Sequence, residues 1–247
     1  MIASLPMYDW PEVQAHTDSY WQAIRAALDA GPATLMRDLA DVHAHWLDPD
    51  LLLSQTCGMP YRTRLFGKVN RIGTPDYALP DCPPGHYCSV LVVNALDDRA
   101  QMSDFTSDIF AYNEGGSQSG WAAPMTHAAA LGLRFDRLLA TGAHRASICA
   151  VAEGRAALAS IDAVTWELAL RHEPAALQLR VLARTDPTPG LPYITALGRD
   201  PAPTARAIAT AIADLDADSR AALHLSGLCD IPDHAYLAVP NPPAPAA

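Results

Sequence analysis

Two segments of the chain join a strand-like run to a helix-like run through small and hydroxylated residues. Residues 113–121 follow the apolar run 109–112, and residues 141–147 follow the apolar run 138–140. A helix start leaves about four N–H groups without intrahelical partners, and the helix dipole adds partial positive charge there. Because small residues let an anion reach these groups, the two segments together predict one oxyanion site. The alternative is that their hydroxyls are ordinary helix N-caps.

Strands and helices alternate along the rest of the chain. The pattern predicts helices over 11–28 and 34–45, a strand over 51–55 and another over 179–184. Such alternation is typical of α/β architecture with mostly parallel sheets. Ligands of these folds bind beyond the carboxyl ends of the strands, so the polar residues that follow the strands are the candidate contacts.

Composition excludes several classes of protein. The chain has 247 residues, of which 50% are hydrophobic and 18% are charged, as in globular proteins of one large or two modest domains. No apolar run reaches the ~18 residues of a membrane span. The net charge of −10 and the lack of a basic stripe argue against nucleic acid as a partner. An anion remains compatible with this charge, because N–H and hydroxyl groups bind it locally.

The amino terminus leads directly into a first strand and shows no signal peptide. We expect either a cytoplasmic protein or a periplasmic one whose signal has been removed. The pair His43 and His45 would bind a metal only with further ligands, and a solvated helix face explains it more simply. We therefore expect no metal and no cofactor. No long apolar heptad is present, so a monomer is the default expectation.

Five motifs, in their order and spacing, resemble the phosphate/phosphite/phosphonate-binding proteins of ABC transporters. They are Met7-Tyr8-Asp9 after the first strand, Ser-x-Ser-Gly-aromatic at 117–121, Thr-Gly-x-His-x-x-Ser at 141–147, Val-Ala-x-Gly-x-Ala at 151–156 and Ile161-Asp162. Residues 185–192 resemble the segment that returns to the first lobe in this family. The resemblance covers about residues 2–230.

The resemblance implies a type II periplasmic-binding fold, in which two α/β lobes hold the ligand in a cleft between them. Each lobe would be a mixed, mostly parallel sheet flanked by helices. Lobe one would comprise residues 1–93 and 187–247, and lobe two residues 94–186. We expect the Pro/Ala-rich residues 240–247 to be a disordered tail.

The resemblance also implies a set of ligand contacts. Ser117, Gln118 and Ser119 match the Ser-Thr-Ser anion cradle of the family, with Gln118 as a departure that replaces a hydroxyl by a longer amide. His144 and Asp162 match a ligand-contacting histidine and acid. The contacts that we predict are Tyr8, Gln55, Thr56, Ser117, Gln118, Ser119, Thr141, His144 and Asp162, with no catalytic residue among them.

Elementary chemistry is consistent with two of these roles. A carboxylate repels an anion unless a proton lies between them, so Asp162 would select a protonated oxyanion or hold the ammonium of an aminophosphonate. His144 can donate a hydrogen bond to an anion even when it is neutral. The alternatives are that Asp162 only caps the following helix and that His144 is a surface residue.

The leading functional hypothesis is a solute-binding protein that holds phosphate, phosphite or an alkyl- or aminophosphonate for ABC-type uptake. Its partners would be the small anion, a permease and an ATPase. A cytoplasmic lyase or synthase of the same fold is the first alternative, because no signal peptide is visible. A cytoplasmic ligand sensor is the second alternative.

Overall fold

The computed structural model describes residues 1–245, and residues 246–247 of the predicted tail lie outside the described residues. Its strands are β1 Ile2–Ala3, β2 Leu51–Gln55, β3 Val69–Asp76, β4 His86–Tyr87, β5 Ser89–Asn94, β6 Ile109–Tyr112, β7 Arg137–Ala140, β8 Leu158–Asp162, β9 Leu179–Arg184, β10 Thr188–Pro189, β11 Tyr193–Ala196 and β12 Gly227–Cys229. Its α-helices are α1 Gln14–Leu28, α2 Val42–Trp46, α3 Gly58–Pro60, α4 Ala123–Ala130, α5 His144–Ala152, α6 Ala163–His172, α7 Ala202–Ala213, α8 Ala217–Leu223 and α9 Asp233–Leu237.

Several short segments adopt tighter or wider helical turns. Two are π-helical, Tyr61–Leu65 and Gln118–Ala122, and the second of them runs directly into α4. Two others are 3₁₀ turns, Met102–Phe105 and Pro174–Gln178. π-Helical turns are rare and are found disproportionately at functional sites.

The chain divides into two compact units. Unit one comprises residues 1–86 and 189–237, and unit two comprises residues 87–188 and 238–245 of the described chain. The first boundary lies seven residues before the predicted position at 93, so the whole of β5 belongs to unit two. Residues 238–245, which the sequence assigns to lobe one and, from residue 240, to a disordered tail, pack with unit two instead.

Unit one is built on a five-stranded mixed sheet in the order β1-β2-β11-β3-β12. β1 and β2 are parallel, and β11 is antiparallel to both β2 and β3, so β1, β2 and β3 run in one direction. The apolar side chains of β2 are fully buried, which agrees with the predicted strand over 51–55. Trp46, Tyr61 and Tyr236 belong to one apolar core of this unit.

Unit two contains a second five-stranded sheet in the order β7-β6-β8-β5-β9. β6 is parallel to β7 and β8, whereas β5 is antiparallel to its neighbours β8 and β9. Four of these strands therefore run the same way, and β6, β7 and β8 end at one edge of the sheet. Helices α4, α5 and α6 begin after those three ends. The prediction of α/β architecture with mixed sheets is confirmed in both units.

The second predicted helix is wrong over most of its length. Of the predicted range 34–45 only residues 42–45 are helical, within α2. The Asp41 carboxylate accepts hydrogen bonds from the His43 and Ala44 N–H groups, and this cap makes the helix begin at residue 42. Upstream of it, the Met36 N–H donates to the Ala3 carbonyl, so the preceding chain is held against β1 rather than in a helix.

Candidate functional site

The first predicted anion-binding segment forms the start of a helix after β6. Ser117 is the N-cap, and its Oγ accepts a hydrogen bond from the Gly120 N–H at 3.0 Å. Its carbonyl accepts from the Ala122 N–H at 3.0 Å, the i to i+5 bond of a π-helical turn. The first N–H groups of such a turn have no acceptor within the helix. The predicted capping role of Ser117 is therefore present, and it leaves donors at the helix start.

Gly120 is required by a close approach within this segment. A Cβ built on Gly120 would overlap Asn113 Oδ1 and would lie 3.3 Å from the Asn113 backbone nitrogen. The Asn113 carbonyl, in turn, accepts from the Gly142 N–H at 2.8 Å, which connects the first segment to the second. A side chain at position 120 would displace the Asn113 side chain, so glycine lets the loop after β6 and the helix start pack this tightly.

Ser119 is held from several sides. Its carbonyl accepts hydrogen bonds from Ser89 Oγ at 2.9 Å and from Ser160 Oγ at 2.7 Å. Its own Oγ lies 2.9 Å from Nε2 of His144. Ser119 is 3% exposed, and the two serines that hold it are buried on β5 and β8. Three other elements of unit two, β5, β8 and α5, therefore fix the position of one candidate ligand donor.

His144 stands at the start of α5, next to an N-cap, Ala143, whose side chain accepts no hydrogen bond. Its buried Nδ1 has no hydrogen-bond partner in the described part of the chain. Burial lowers the pKa of His144 to about 4, and the Ser160 backbone opposes this effect only in part. The imidazole is therefore neutral at pH 7, with one donor and one acceptor nitrogen.

We expect the imidazole pKa of His144 in the ligand-free protein to lie well below the usual 6.5. The folded state then resists protonation more than the unfolded state does, so the free energy of unfolding should fall as the pH drops from about 6.5 towards 4. An NMR titration of the histidine Cε1–H resonances measures this value, and loss of one resonance in His144→Gln assigns it. A pKa of 6.5 or higher would contradict the burial of this ring.

Asp162 ends β8 and caps α6. Its Oδ1 accepts hydrogen bonds from the Val164 N–H at 2.8 Å and from the Thr165 N–H at 3.1 Å. The residue is 3% exposed and pairs with Ser89 across the β5–β8 ladder. The capping role that the sequence offered as the alternative is therefore present. It places a buried carboxylate at the same sheet edge as Ser89.

Thr141 has a structural role in the loop after β7. Its Oγ1 lies within hydrogen-bonding distance of the Tyr112 carbonyl, at 3.0 Å, and of Ser147 Oγ, at 2.7 Å. Its N–H donates to the same Tyr112 carbonyl at 2.9 Å. These bonds fasten the second segment to the end of β6. A direct ligand contact by Thr141 stays a prediction.

Of the three ligand contacts predicted in unit one, Tyr8 and Gln55 line the same recess and Thr56 does not. Gln55 Nε2 donates to the Tyr77 hydroxyl at 2.9 Å and to the Leu191 carbonyl at 3.1 Å. The Tyr8 ring packs edge-on against Tyr77, with ring centroids 5.2 Å apart. Tyr8 and Gln55 line one recess of this unit, together with Leu5, Asp9, Thr17, Tyr20, Tyr77, Tyr193, Leu223 and Leu225. Thr56 does not line it and donates its hydroxyl to the Cys57 carbonyl.

The sequence reasoning missed Ser89, Ser160 and Tyr77. Ser89 begins and Ser160 interrupts an otherwise apolar strand, each close to the end that borders the candidate site. That interruption was the available signal, because a buried hydroxyl needs a partner. Tyr77 carried no such signal, since an aromatic residue after a strand is unremarkable by itself.

A family model described as the periplasmic substrate-binding protein of phosphonate ABC transporters matches residues 69–231. The chain belongs to this family. Its members bind solutes and are not enzymes, so the enzymatic alternative is not retained. The matched range includes both helix starts and Asp162. No curated protein sequence matches the chain.

Solved structures of other proteins share the fold. PhnD1 from Prochlorococcus marinus (MIT 9301), in complex with methylphosphonate, is 14% identical, with a TM-score of 0.73 over 95% of this chain and 94% of that one. A binding protein component of an ABC phosphonate transporter from Pseudomonas aeruginosa, PA3383, is 15% identical, with a TM-score of 0.69 over 96% of this chain and 82% of that one. XAC2383 from Xanthomonas citri, bound to chloride, is 13% identical, with a TM-score of 0.68 over 95% and 92%. The fold is the type II periplasmic-binding fold that the motifs predicted.

None of the helices that the structure describes combines the length and the apolar character needed to cross a bilayer.

Proposed function

We propose that this phosphonate-transporter family member binds a small phosphorus oxyanion, namely phosphate, phosphite or an alkyl- or aminophosphonate. The observation that carries the proposal is the Ser119 cluster. A helix start offers N–H donors, the Ser119 hydroxyl stands beside them, and the neutral imidazole of His144 lies 2.9 Å from that hydroxyl. Donors arranged at a helix start are suited to an anion with several oxygens.

The buried Asp162 carboxylate supports a ligand that carries a proton or an ammonium group. The N–H groups of Val164 and Thr165 stabilise its charged form. A fully ionised oxyanion beside it would be repelled, whereas a monoprotonated one can donate a hydrogen bond to it. The proposal therefore favours monoanions of phosphonate type and ammonium-bearing phosphonates over sulfate.

The same proposal covers location and partners. A periplasmic protein that delivers its ligand to a permease driven by an ATPase follows from the family. A monomer suffices for this role. The alternative of a cytoplasmic sensor would use the same ligand, so the binding experiment below is common to both.

A thermal-shift panel on the purified protein tests the ligand class. The compounds are phosphate, phosphite, methylphosphonate and 2-aminoethylphosphonate, with sulfate and an aromatic carboxylate as controls. A ligand at 100 times its dissociation constant adds about 2.7 kcal/mol to the free energy of unfolding, which raises the midpoint by several degrees. We expect at least one phosphorus compound to exceed sulfate. A response to sulfate or to the carboxylate alone would refute the proposal.

A further inference from the structure

Residues 243–245 rest on the candidate anion-binding segment. The indole Nε1–H of Trp121 donates a hydrogen bond to the Pro243 carbonyl at 2.9 Å. A Cβ built on Gly115 would lie 2.8 Å from both Cγ and Cδ of Pro245, so this ring occupies the space above the glycine. Both contacts lie within unit two. They bracket the helix start, since Gly115 precedes Ser117 and Trp121 follows Ser119.

Trp121 joins this contact to the core. The residue is 4% exposed, and its ring packs on Tyr112 with centroids 5.0 Å apart. It belongs to the apolar cluster that includes Phe105, Phe110 and Leu158. Trp121 also lies inside the π-helical turn Gln118–Ala122. A bond that fixes its indole therefore acts on the same turn that carries Ser119.

The composition of residues 240–245 suits a segment that docks on this turn. Residues 240–245 read Pro-Asn-Pro-Pro-Ala-Pro and contain no helix or strand. Proline restricts φ, so a proline-rich segment loses little conformational entropy when it docks. It also offers carbonyl groups that its own backbone cannot pair, and one of these accepts the Trp121 bond.

We propose that residues 238–245 are a strap that positions the anion-binding turn, with Pro243 and Pro245 as its positioning residues. The proposal deepens the proposed function and rests on it for the ligand. The strap contacts no ligand in this account. It holds Gly115 and Trp121, and through them it limits the freedom of the turn between these two residues.

Two changes remove the strap or block its contact with Gly115. Truncation after Leu237 deletes the whole segment. Gly115→Ala places a methyl group where the Pro245 ring lies, whereas in Gly116→Ala the new Cβ meets nothing within 4 Å. These neighbouring glycines are a matched pair, because each change adds one methyl group to the same loop and only one of them displaces the strap.

A third change removes the hydrogen bond alone. Trp121→Phe keeps an aromatic ring and deletes the Nε1–H donor. Its control is Trp21→Phe, because Trp21 also donates its indole N–H to a proline carbonyl, that of Pro32 at 3.2 Å, in unit one. A general effect of replacing a buried indole by a smaller phenyl ring would appear in both variants.

Hydrogen exchange of the full-length protein without ligand is the first readout. We expect the amides of residues 118–122 to exchange about tenfold faster in the truncated chain and in Gly115→Ala, with Gly116→Ala unchanged, because loss of the docked segment frees the turn to open. Unchanged exchange in the truncated chain would overturn the proposal. This readout does not depend on any ligand, so it also stands if the proposed function fails.

Calorimetric titration with methylphosphonate is the second readout. We expect the truncated chain and Trp121→Phe to bind about fivefold more weakly, the scale of one hydrogen bond, and Trp21→Phe to bind as the parent does. Equal or tighter binding by the truncated chain would overturn the proposal, the latter because the segment would then be an inhibitor. If the parent binds no phosphorus compound, the proposed function fails and the exchange result alone decides on the strap.

Discussion

Replacing Ser119 by alanine should weaken methylphosphonate binding by about 1.5–3 kcal/mol, the range for a hydrogen bond to a charged group. The change removes a hydroxyl that is fixed against His144 and leaves the Ser119 carbonyl, which Ser89 and Ser160 hold, in place. The change also removes the partner of the buried His144 Nε2, so the free energy of unfolding of the ligand-free protein should fall by about 1 kcal/mol beside the loss in the dissociation constant. Isothermal titration calorimetry and a thermal scan on the same samples measure both.

The control for this change is Ser19→Ala. Ser19 is exposed on α1, and its hydroxyl donates only to the Ala15 carbonyl in the same helix. The Ser19→Ala variant should bind methylphosphonate with the affinity of the parent protein. Parent-like affinity in Ser119→Ala would remove this hydroxyl from the ligand site.

Replacing Asp162 by alanine should lower the free energy of unfolding by about 2 kcal/mol, because two buried N–H groups lose their acceptor. Asp162→Asn should lower the free energy of unfolding much less, since an amide oxygen caps a helix nearly as well as a carboxylate. Urea denaturation at pH 7 measures the difference between the two variants.

The same pair separates capping from ligand selection. Asp162→Asn keeps the cap and removes the charge, so the preference for a monoprotonated over a fully ionised oxyanion should weaken. Affinity for methylphosphonate followed across the second ionisation of the ligand measures this preference. A pH profile identical to that of the parent would assign Asp162 to capping alone.

The second unit could be predicted well because its signals are local. The strand at 179–184 and the helices after β6, β7 and β8 follow from apolar runs that end at small polar residues, and the structure confirms them. The positions of Ser117, Ser119 and His144 follow from the same rule, since the ends of parallel strands meet at one edge.

The parts that could not be predicted depend on contacts distant in sequence. β11 is a four-residue strand whose place between β2 and β3 is set by pairing with residues more than 100 positions away. The extended chain before α2 depends on the hydrogen bond between Met36 and Ala3. Neither pairing leaves a mark in the local sequence. A hydroxyl in an apolar strand marks both Ser89 and Ser160, but the local sequence does not show that both donate to one carbonyl, because that carbonyl lies on another element.

The two serine hydroxyls on the Ser119 carbonyl have a consequence for how a very small solute can be held. A ligand of a few atoms makes few contacts, so the ordering of flexible side chains, about 0.5–1.5 kcal/mol for each one immobilised, would consume much of its binding energy. In this chain the order already exists before any ligand arrives. The helix start is preorganised, so the cost of ordering these side chains is not subtracted from the affinity for the anion.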